Sequence, residues 1–337
     1  MNRDKLKNAV VVITGATSGI GRATALAFAR RGSLLVLAAR DPEGLKSVAS
    51  ECTALGAETH TNVTDVTNPA AVSFLAEHAA GLGNGRIDVW INNAGVGAVG
   101  GFLDTPMDAH EQVIRTNLLG YLYGAHAVLP YFTERQEGVL INNISFGAWF
   151  PAPYAAAYSA SKFGLEGFSQ ALRAEMSRWP KVRICDVYPS IVNTPGISEH
   201  GGNYLGRDLG KPSMAMEPEK VAEVMVSLAR NPRDHTTVGL IGRAARIAHA
   251  VSPRASTNTA ARFAELFLGT RPAQDITSGA LYQPSNGHRA HGADSAPRQK
   301  MKVAATALTL GGAAYLLGRW AIPPKHPKHS AGFRFHR

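Results

Sequence analysis

Cysteine is nearly missing from this 337-residue chain: Cys52 and Cys185 are the two present. Two isolated thiols build neither a disulfide framework nor a metal cluster, so no metal is expected and a reducing compartment suits the chain. Charged residues are modest at 18% against 45% hydrophobic, which excludes global disorder and leaves material for a sizeable core. The N-terminus, Met1 to Asn8, lacks the basic-then-apolar layout of a secretion signal, so the body of the chain is expected in the cytoplasm. Acid is absent from the far end. From Arg298 to Arg337 there is no Asp or Glu and there are eight Lys or Arg, so this tail carries +8 of the net +10. A basic tail of this kind points to a membrane surface or a solvated end. Helix-turn-helix, zinc-finger and aromatic-stacking patterns are all missing, and no nucleic-acid partner is expected. An apolar stretch near the far end, Val303–Ile322, is uncharged only to Gly318, which is slightly short of the roughly 20 apolar residues of a spanning helix. Arg319 can snorkel, and Trp320 with its basic flanks fits an anchor on the cytoplasmic face of a membrane. The alternative is a helix packed on the core or on a partner subunit.

What is present is a regular alternation. β-branched runs at Val10–Thr14, Leu34–Ala39, Val89–Ile91, Val139–Ile144 and Val182–Tyr188 are separated by helix-length Ala/Leu-rich stretches at Ile20–Arg31, Gly44–Leu55, Ala70–Ala80, Asp108–Phe132 and Tyr158–Trp179. Strands alternating with helices predict an α/β fold of the Rossmann type, a doubly wound parallel sheet with helices on both faces. Beyond Thr194 the pattern loosens into a Gly-, Ser- and Met-rich segment, 196–216, then a helix over Pro218–Arg230 and a last strand near Thr237–Ile241. The expected organisation is a catalytic domain over 1–245, a partly ordered Pro/Ser/Gly-rich extension with one helical stretch over 246–300, and the apolar helix and basic tail over 301–337.

Directly after the first run stands Gly15-Ala16-Thr17-Ser18-Gly19-Ile20-Gly21, with a helical stretch following. Glycines here let a pyrophosphate approach the backbone, where helix N-terminal N–H groups and the helix dipole favour anions. The spacing, G-x₃-G-x-G between a strand and a helix near the start of the chain, resembles the common single-domain branch of the short-chain dehydrogenase/reductase (SDR) superfamily. The resemblance extends over about residues 8–245.

Coenzyme choice is set at the end of the second strand. NAD enzymes place a carboxylate there for the ribose 2′-OH, whereas here Leu34–Ala39 runs into Arg40, whose guanidinium suits a 2′-phosphate. Asp41 is close by, but Asp41-Pro42-Glu43 reads as a helix cap. NADP is therefore expected, with NAD the less favoured alternative. The resemblance implies further coenzyme contacts: Asp65 and Val66 beside the adenine, Asn92-Asn93-Ala94-Gly95 bordering the cleft, and Val192 and Thr194 near the carboxamide and phosphates. Where many members of the family read Pro-Gly after the sixth strand, this chain has Pro189-Ser190.

Tyr158 and Lys162 lie four residues apart, on one face of a helix. A phenol with its ordinary pKa of about 10 is too weak a base at neutral pH. A neighbouring ammonium and an oxidised nicotinamide stabilise tyrosinate, so that Tyr158 can exchange a proton with an alcohol or carbonyl. Ser145, thirteen residues before Tyr158, completes the family's serine–tyrosine–lysine arrangement. The resemblance implies that Ser145 bonds the reacting oxygen, that Asn117 organises a water linked to Lys162, and that Tyr158 and Lys162 also border the coenzyme.

The expected activity is NADP(H)-dependent interconversion of a secondary alcohol and a ketone or aldehyde. Trp149, Phe150, Tyr154, Tyr188, Met214 and Met216 flank the expected pocket and suggest a lipophilic substrate. By analogy with the family the protein pairs as a homodimer or homotetramer. The alternatives are an extended-branch epimerase or dehydratase, a catalytically silent NADP-binding scaffold, and a membrane-tethered adaptor. The first differs in glycine spacing, and the other two do not need the intact Asn117–Ser145–Tyr158–Lys162 set.

Overall fold

The computed structural model describes residues 6–198, 200–210, 215–284 and 288–292. In chain order its elements are β1 (Val10–Thr14), α1 (Gly19–Ala29), β2 (Leu34–Ala39), α2 (Pro42–Ala54), β3 (Thr59–Val63), α3 (Pro69–Leu82), β4 (Val89–Asn92), β5 (Ala98–Val99), α4 (Met107–Ile114) and α5 (Gly120–Arg135). There follow β6 (Gly138–Asn143), α6 (Ala156–Met176), β7 (Val182–Pro189), α7 (Pro195–Ser198), β8 (Gly202–Asn203), α8 (Pro218–Arg230), β9 (His235–Val238), α9 (Leu240–Val251) and α10 (Pro253–Gly269). A π-helical turn, Arg115–Leu119, joins α4 to α5. Val303–Ile322 and Met214 lie outside the described residues.

Seven strands form one parallel sheet in the order β3-β2-β1-β4-β6-β7-β9. The order reverses at β1, whose neighbours are β2 and β4, and such a switch point opens a crevice at the carboxyl ends of the strands. Every residue of β1 is buried, because helices cover both faces and the strand needs no polar side. Val11 and Ile13 face one core layer with Phe28, Leu35 and Met225. Val12 faces the other with Trp90, Val128 and Leu140.

Local chemistry starts the helices where the sheet requires them. Asp41 accepts the Glu43 N–H at the head of α2, with Pro42 in the first turn. Asn68 does the same for α3 through Ala70 and Ala71, ahead of Pro69. Each cap satisfies N–H groups that a helix start leaves without partners.

Two departures from the sequence pattern affect the cleft. The expected single helix Asp108–Phe132 is two helices with the π turn between them, and Asn117 sits in that turn. β3 was absent from the alternation because its sequence, Thr-His-Thr-Asn-Val, is polar and partly exposed at the sheet edge.

Candidate active site

The crevice beyond the switch point is a cleft of about 590 Å³. One part is lined by Gly15, Thr17, Ser18, Gly19, Ile20, Arg40, Asp65 and Val66, with Thr194 beside Gly19, and another by Ser145, Tyr158, Lys162 and Val192; Asn93, Ala94 and Gly95 line it too. The separate sequence motifs thus converge on one surface. Gly21, Asn92 and Asn117 stand behind it.

The glycine turn is held by close packing. Gly15 adopts a left-handed φ of +66°, and a Cβ there would lie 2.7 Å from the Cα of Ala94. A Cβ on Gly21 would lie 2.0 Å from the Gly15 carbonyl oxygen, so α1 can approach the turn only as glycine. Asn93 fastens the turn from the next strand, its Nδ2 donating to the carbonyls of Thr14 (3.0 Å) and Gly15 (3.1 Å). Asn143 Nδ2 in turn donates to Asn93 Oδ1 at 2.9 Å. Asn92 faces the other way. Its amide receives the Trp90 indole N–H at 2.8 Å and donates to Asn142 at 3.0 Å, tying β4 to β6.

At the chemical end Lys162 is buried, its Nζ 3.5 Å from the Asn143 carbonyl and 5.6 Å from the centre of the Tyr158 ring. Burial pulls the ammonium down to about 7. Burial pushes the Tyr158 phenol above its usual value, and a hydrogen bond with Ser145 draws it back. Ser145 has φ 134° and ψ 156°, a region that side-chain-bearing residues rarely occupy. That strained turn lets its Oγ accept the Gly147 N–H at 3.1 Å while facing Tyr158.

Asn117 is fully buried and engaged by the backbone of Val96: its Oδ1 accepts Val96 N–H and its Nδ2 donates to Val96 carbonyl, both at 2.8 Å. It also reaches Ser161 Oγ at 3.4 Å. The π turn sets Asn117 at the start of α5, where it pins the loop after β4 to α6.

Several side chains act differently from the sequence expectation. Of the aromatic and Met residues expected at the pocket, Phe150 lines the cleft. Trp149 and Tyr188 stack on each other with ring centres 3.9 Å apart, as core packing. Ser190, the departure from Pro-Gly, accepts the Gly242 N–H at 2.9 Å and so caps the start of α9. Tyr121 was not singled out from the sequence. It lines the cleft, donates to the Asn143 carbonyl at 2.8 Å and lies under Lys162 Nζ.

Arg40 lines the cleft as expected, but its guanidinium also holds the extension: it donates to the carbonyls of Ala280 (2.5 Å), Leu281 (3.0 Å) and Gln283 (3.1 Å). Ala280 and Pro284 themselves line the cleft. No local pattern marks them, because the contact is made through their backbone.

Known proteins share this arrangement. The family described as short chain dehydrogenase matches residues 9–202. The chain is 33% identical over 253 residues to uncharacterized oxidoreductase YxnA of Bacillus subtilis, covering 74% of this chain and 70% of that one. It spans only 40% of the length of the mycobacterial oxidoreductases that it also matches. Among solved structures, actinorhodin polyketide ketoreductase with NADPH is similar at a TM-score of 0.62 and 28% identity, covering 70% of this chain and 97% of that one. A metagenomic short-chain oxidoreductase in complex with NADP is similar at 0.59 and 30%, covering 69% and 98%. The chain belongs to the short-chain dehydrogenase/reductase family, and is an oxidoreductase of that family.

Proposed function

We propose that the protein is an NADP(H)-dependent oxidoreductase that interconverts a secondary alcohol and a ketone or aldehyde, with Tyr158 as its general acid and base. The observation that carries this reading is the meeting of Ser145, Tyr158 and Lys162 at one end of a cleft whose other end is a glycine turn and an arginine. The cleft's volume falls within the roughly 300–1,000 Å³ of small-molecule and cofactor sites. Its glycine turn admits no Cβ at Gly15 or Gly21, which is the tight turn and close helix packing that set the N-terminus of α1 at a pyrophosphate.

Ile20, Thr17 and Ser18 would hold the phosphates, Arg40 the 2′-phosphate, Asp65 and Val66 the adenine, and Val192 and Thr194 the nicotinamide side. A bound nicotinamide coenzyme supplies or accepts the hydride. The protein handles the proton. Tyr158 donates its phenolic proton to the carbonyl oxygen during reduction and accepts it back during oxidation. Ser145 donates a hydrogen bond to the same oxygen, and Lys162, when charged, steadies the tyrosinate left behind. Phe150 and the apolar walls suit a lipophilic substrate. The test is turnover of a panel of apolar carbonyls followed by NADPH absorbance. Tyr158→Phe is expected to abolish turnover and keep coenzyme binding, and undiminished activity in that variant overturns the mechanism.

A second reading concerns where the enzyme works. Among the described residues no helix is long and apolar enough to cross a membrane. Yet α10 buries none of its residues, and Leu240, Val251 and Leu266 on α9 and α10 are 79%, 67% and 74% exposed. Arg243, Arg246, Arg254 and Arg262 flank them, with Glu265 as the one acid in 240–269. An apolar stripe with arginines beside it matches an anionic lipid surface. We infer that this helix pair lies on such a membrane, with His249 of α9 edge-on to Phe150, which lines the cleft. Flotation with phosphatidylglycerol vesicles tests it: the wild type should float and Leu240→Ser/Leu266→Ser should not, and failure of the wild type to float overturns it.

A further inference from the structure

The family match ends at residue 202, yet the chain beyond it returns to the nucleotide end of the cleft. Residues 272–281 add a further strand-like edge to the small β5–β8 ribbon. Asn203 and Thr277 exchange two backbone hydrogen bonds of 2.7 and 3.0 Å, Gln274 N–H donates to the Gly206 carbonyl at 3.0 Å, and Ala280 N–H to the His200 carbonyl at 2.8 Å. Leu281 then drops into a small core with Ala98, Ala109, Val113 and Tyr204, and is fully buried there. Arg40 and Gln112 hold its carbonyl from either side, at 3.0 and 3.2 Å.

Farther on, residues 288–292 lie across the phosphate turn. Gly19 N–H, at the first position of α1, donates to the Arg289 carbonyl at 3.0 Å. His288 pairs with Asp41 at 2.9 Å, and His291 with Glu219 at 3.0 Å. Gly292 N–H reaches the Asn193 carbonyl at 3.3 Å.

The two halves are held very differently. The first is fixed by a buried leucine, strand pairing and a charge-assisted arginine clamp, all of which are costly to break. The second has no strand pairing: it is held by backbone contacts, by Ala290 against the main core, by His288 beside Asp41 and by a His291–Glu219 pair that is about half exposed. Such pairs are individually weak.

We propose that the extension is part of the coenzyme site: residues 280–284 form the fixed outer wall of its adenosine end, and residues 288–292 are a clasp over the phosphate turn that must lift for coenzyme to enter or leave. This rests on the coenzyme reading above. The cleft runs beneath the wall, because Ala280 and Pro284 line it together with Thr17, Arg40 and Asp65. Arg40 therefore has a positioning role besides any contact with a 2′-phosphate. Three of its five N–H donors are engaged by the wall. The clasp sets exchange rates, which a merely structural tail would leave alone.

The experiment is stopped-flow NADPH fluorescence on the full chain. His288→Ala/His291→Ala removes the clasp's side-chain pairs at the surface and should raise both association and dissociation rates about tenfold. A second variant works in the opposite direction. A Cβ on Gly292 would lie 2.9 Å from the end of the Asn193 side chain, so Asn193→Cys/Gly292→Cys sets two thiols side by side and, once oxidised, should slow both rates and recover with dithiothreitol. Cys52 and Cys185 are buried and do not compete. NADPH binding with the same rates in wild type and both variants overturns the clasp and leaves the coenzyme reading standing. No NADPH signal in the wild type overturns the coenzyme reading, and the clasp with it.

Discussion

Lys162 carries its ammonium 5.6 Å from the centre of the Tyr158 ring and is itself buried, at the wall of the cleft. Burial brings Lys162 down to about 7 and keeps the Tyr158 phenol protonated above its usual range. The sign of the pH dependence follows. Below about 7 Lys162 is charged and supports proton donation by Tyr158; above it the charge is lost while the phenol stays neutral. Carbonyl reduction should therefore fall as pH rises through about 7. Lys162→Arg, which stays charged, should remove that limb. A wild-type kcat/KM that is flat from about pH 6 to pH 8 would sink the assignment.

Gly21→Ala tests the glycine turn without touching the proton chemistry. Its Cβ would sit 2.0 Å from the Gly15 carbonyl oxygen, a backbone atom that cannot swing aside. Either α1 or the turn must shift, and the close backbone approach is lost. Coenzyme affinity should drop by at least about tenfold while the far-UV spectrum stays native. Calorimetric titration with NADP⁺ and NADPH checks it, and unchanged affinity refutes the turn's assigned role.

Much of this was legible in the sequence because the determinants are local. β1, β2, β4, β6 and β7 are largely buried runs of branched residues, the glycine turn, Arg40 and Ser145 each lie at a strand end, and Tyr158 and Lys162 sit in the first two turns of α6. What escaped was set by distance. Arg40 meets the Ala280 carbonyl 240 residues away, and a backbone acceptor leaves no residue signature. The π turn that carries Asn117 is likewise invisible to a pattern that simply continues as helix. α9 was missed because its cap, Ser190, belongs to a different strand end.

That cap gives a stability prediction. Ser190 Oγ accepts the Gly242 N–H in the first turn of α9, and Ser190→Gly would restore the residue usual in the family while leaving this N–H without its acceptor. The loss of a cap costs about 1 kcal/mol, equivalent to a few degrees in Tm. Scanning calorimetry checks it. If Ser190→Gly is as stable as the wild type, the hydroxyl does not hold α9, and the substitution has no structural explanation.

A larger effect is expected away from the cleft, at Arg173 and Asp186. Asp186 is fully buried on β7, and its carboxylate takes a 2.7 Å ion pair from Arg173 on α6, whose side chain is 14% exposed. Asn142 Nδ2 adds a hydrogen bond at 3.3 Å, linking the pair to Asn92 through the amides that join β4 and β6. Burial alone raises the Asp186 carboxyl, and Arg173 opposes that shift. Arg173→Leu leaves the carboxylate buried without its cation, which costs about 3–5 kcal/mol. Asp186→Asn with Arg173→Leu removes both charges and should recover most of that loss. Denaturant titration of the two single variants and the double variant closes the cycle. Additive losses across the cycle would mean that the two residues stabilise β7 and α6 independently, and that the ion pair itself contributes nothing.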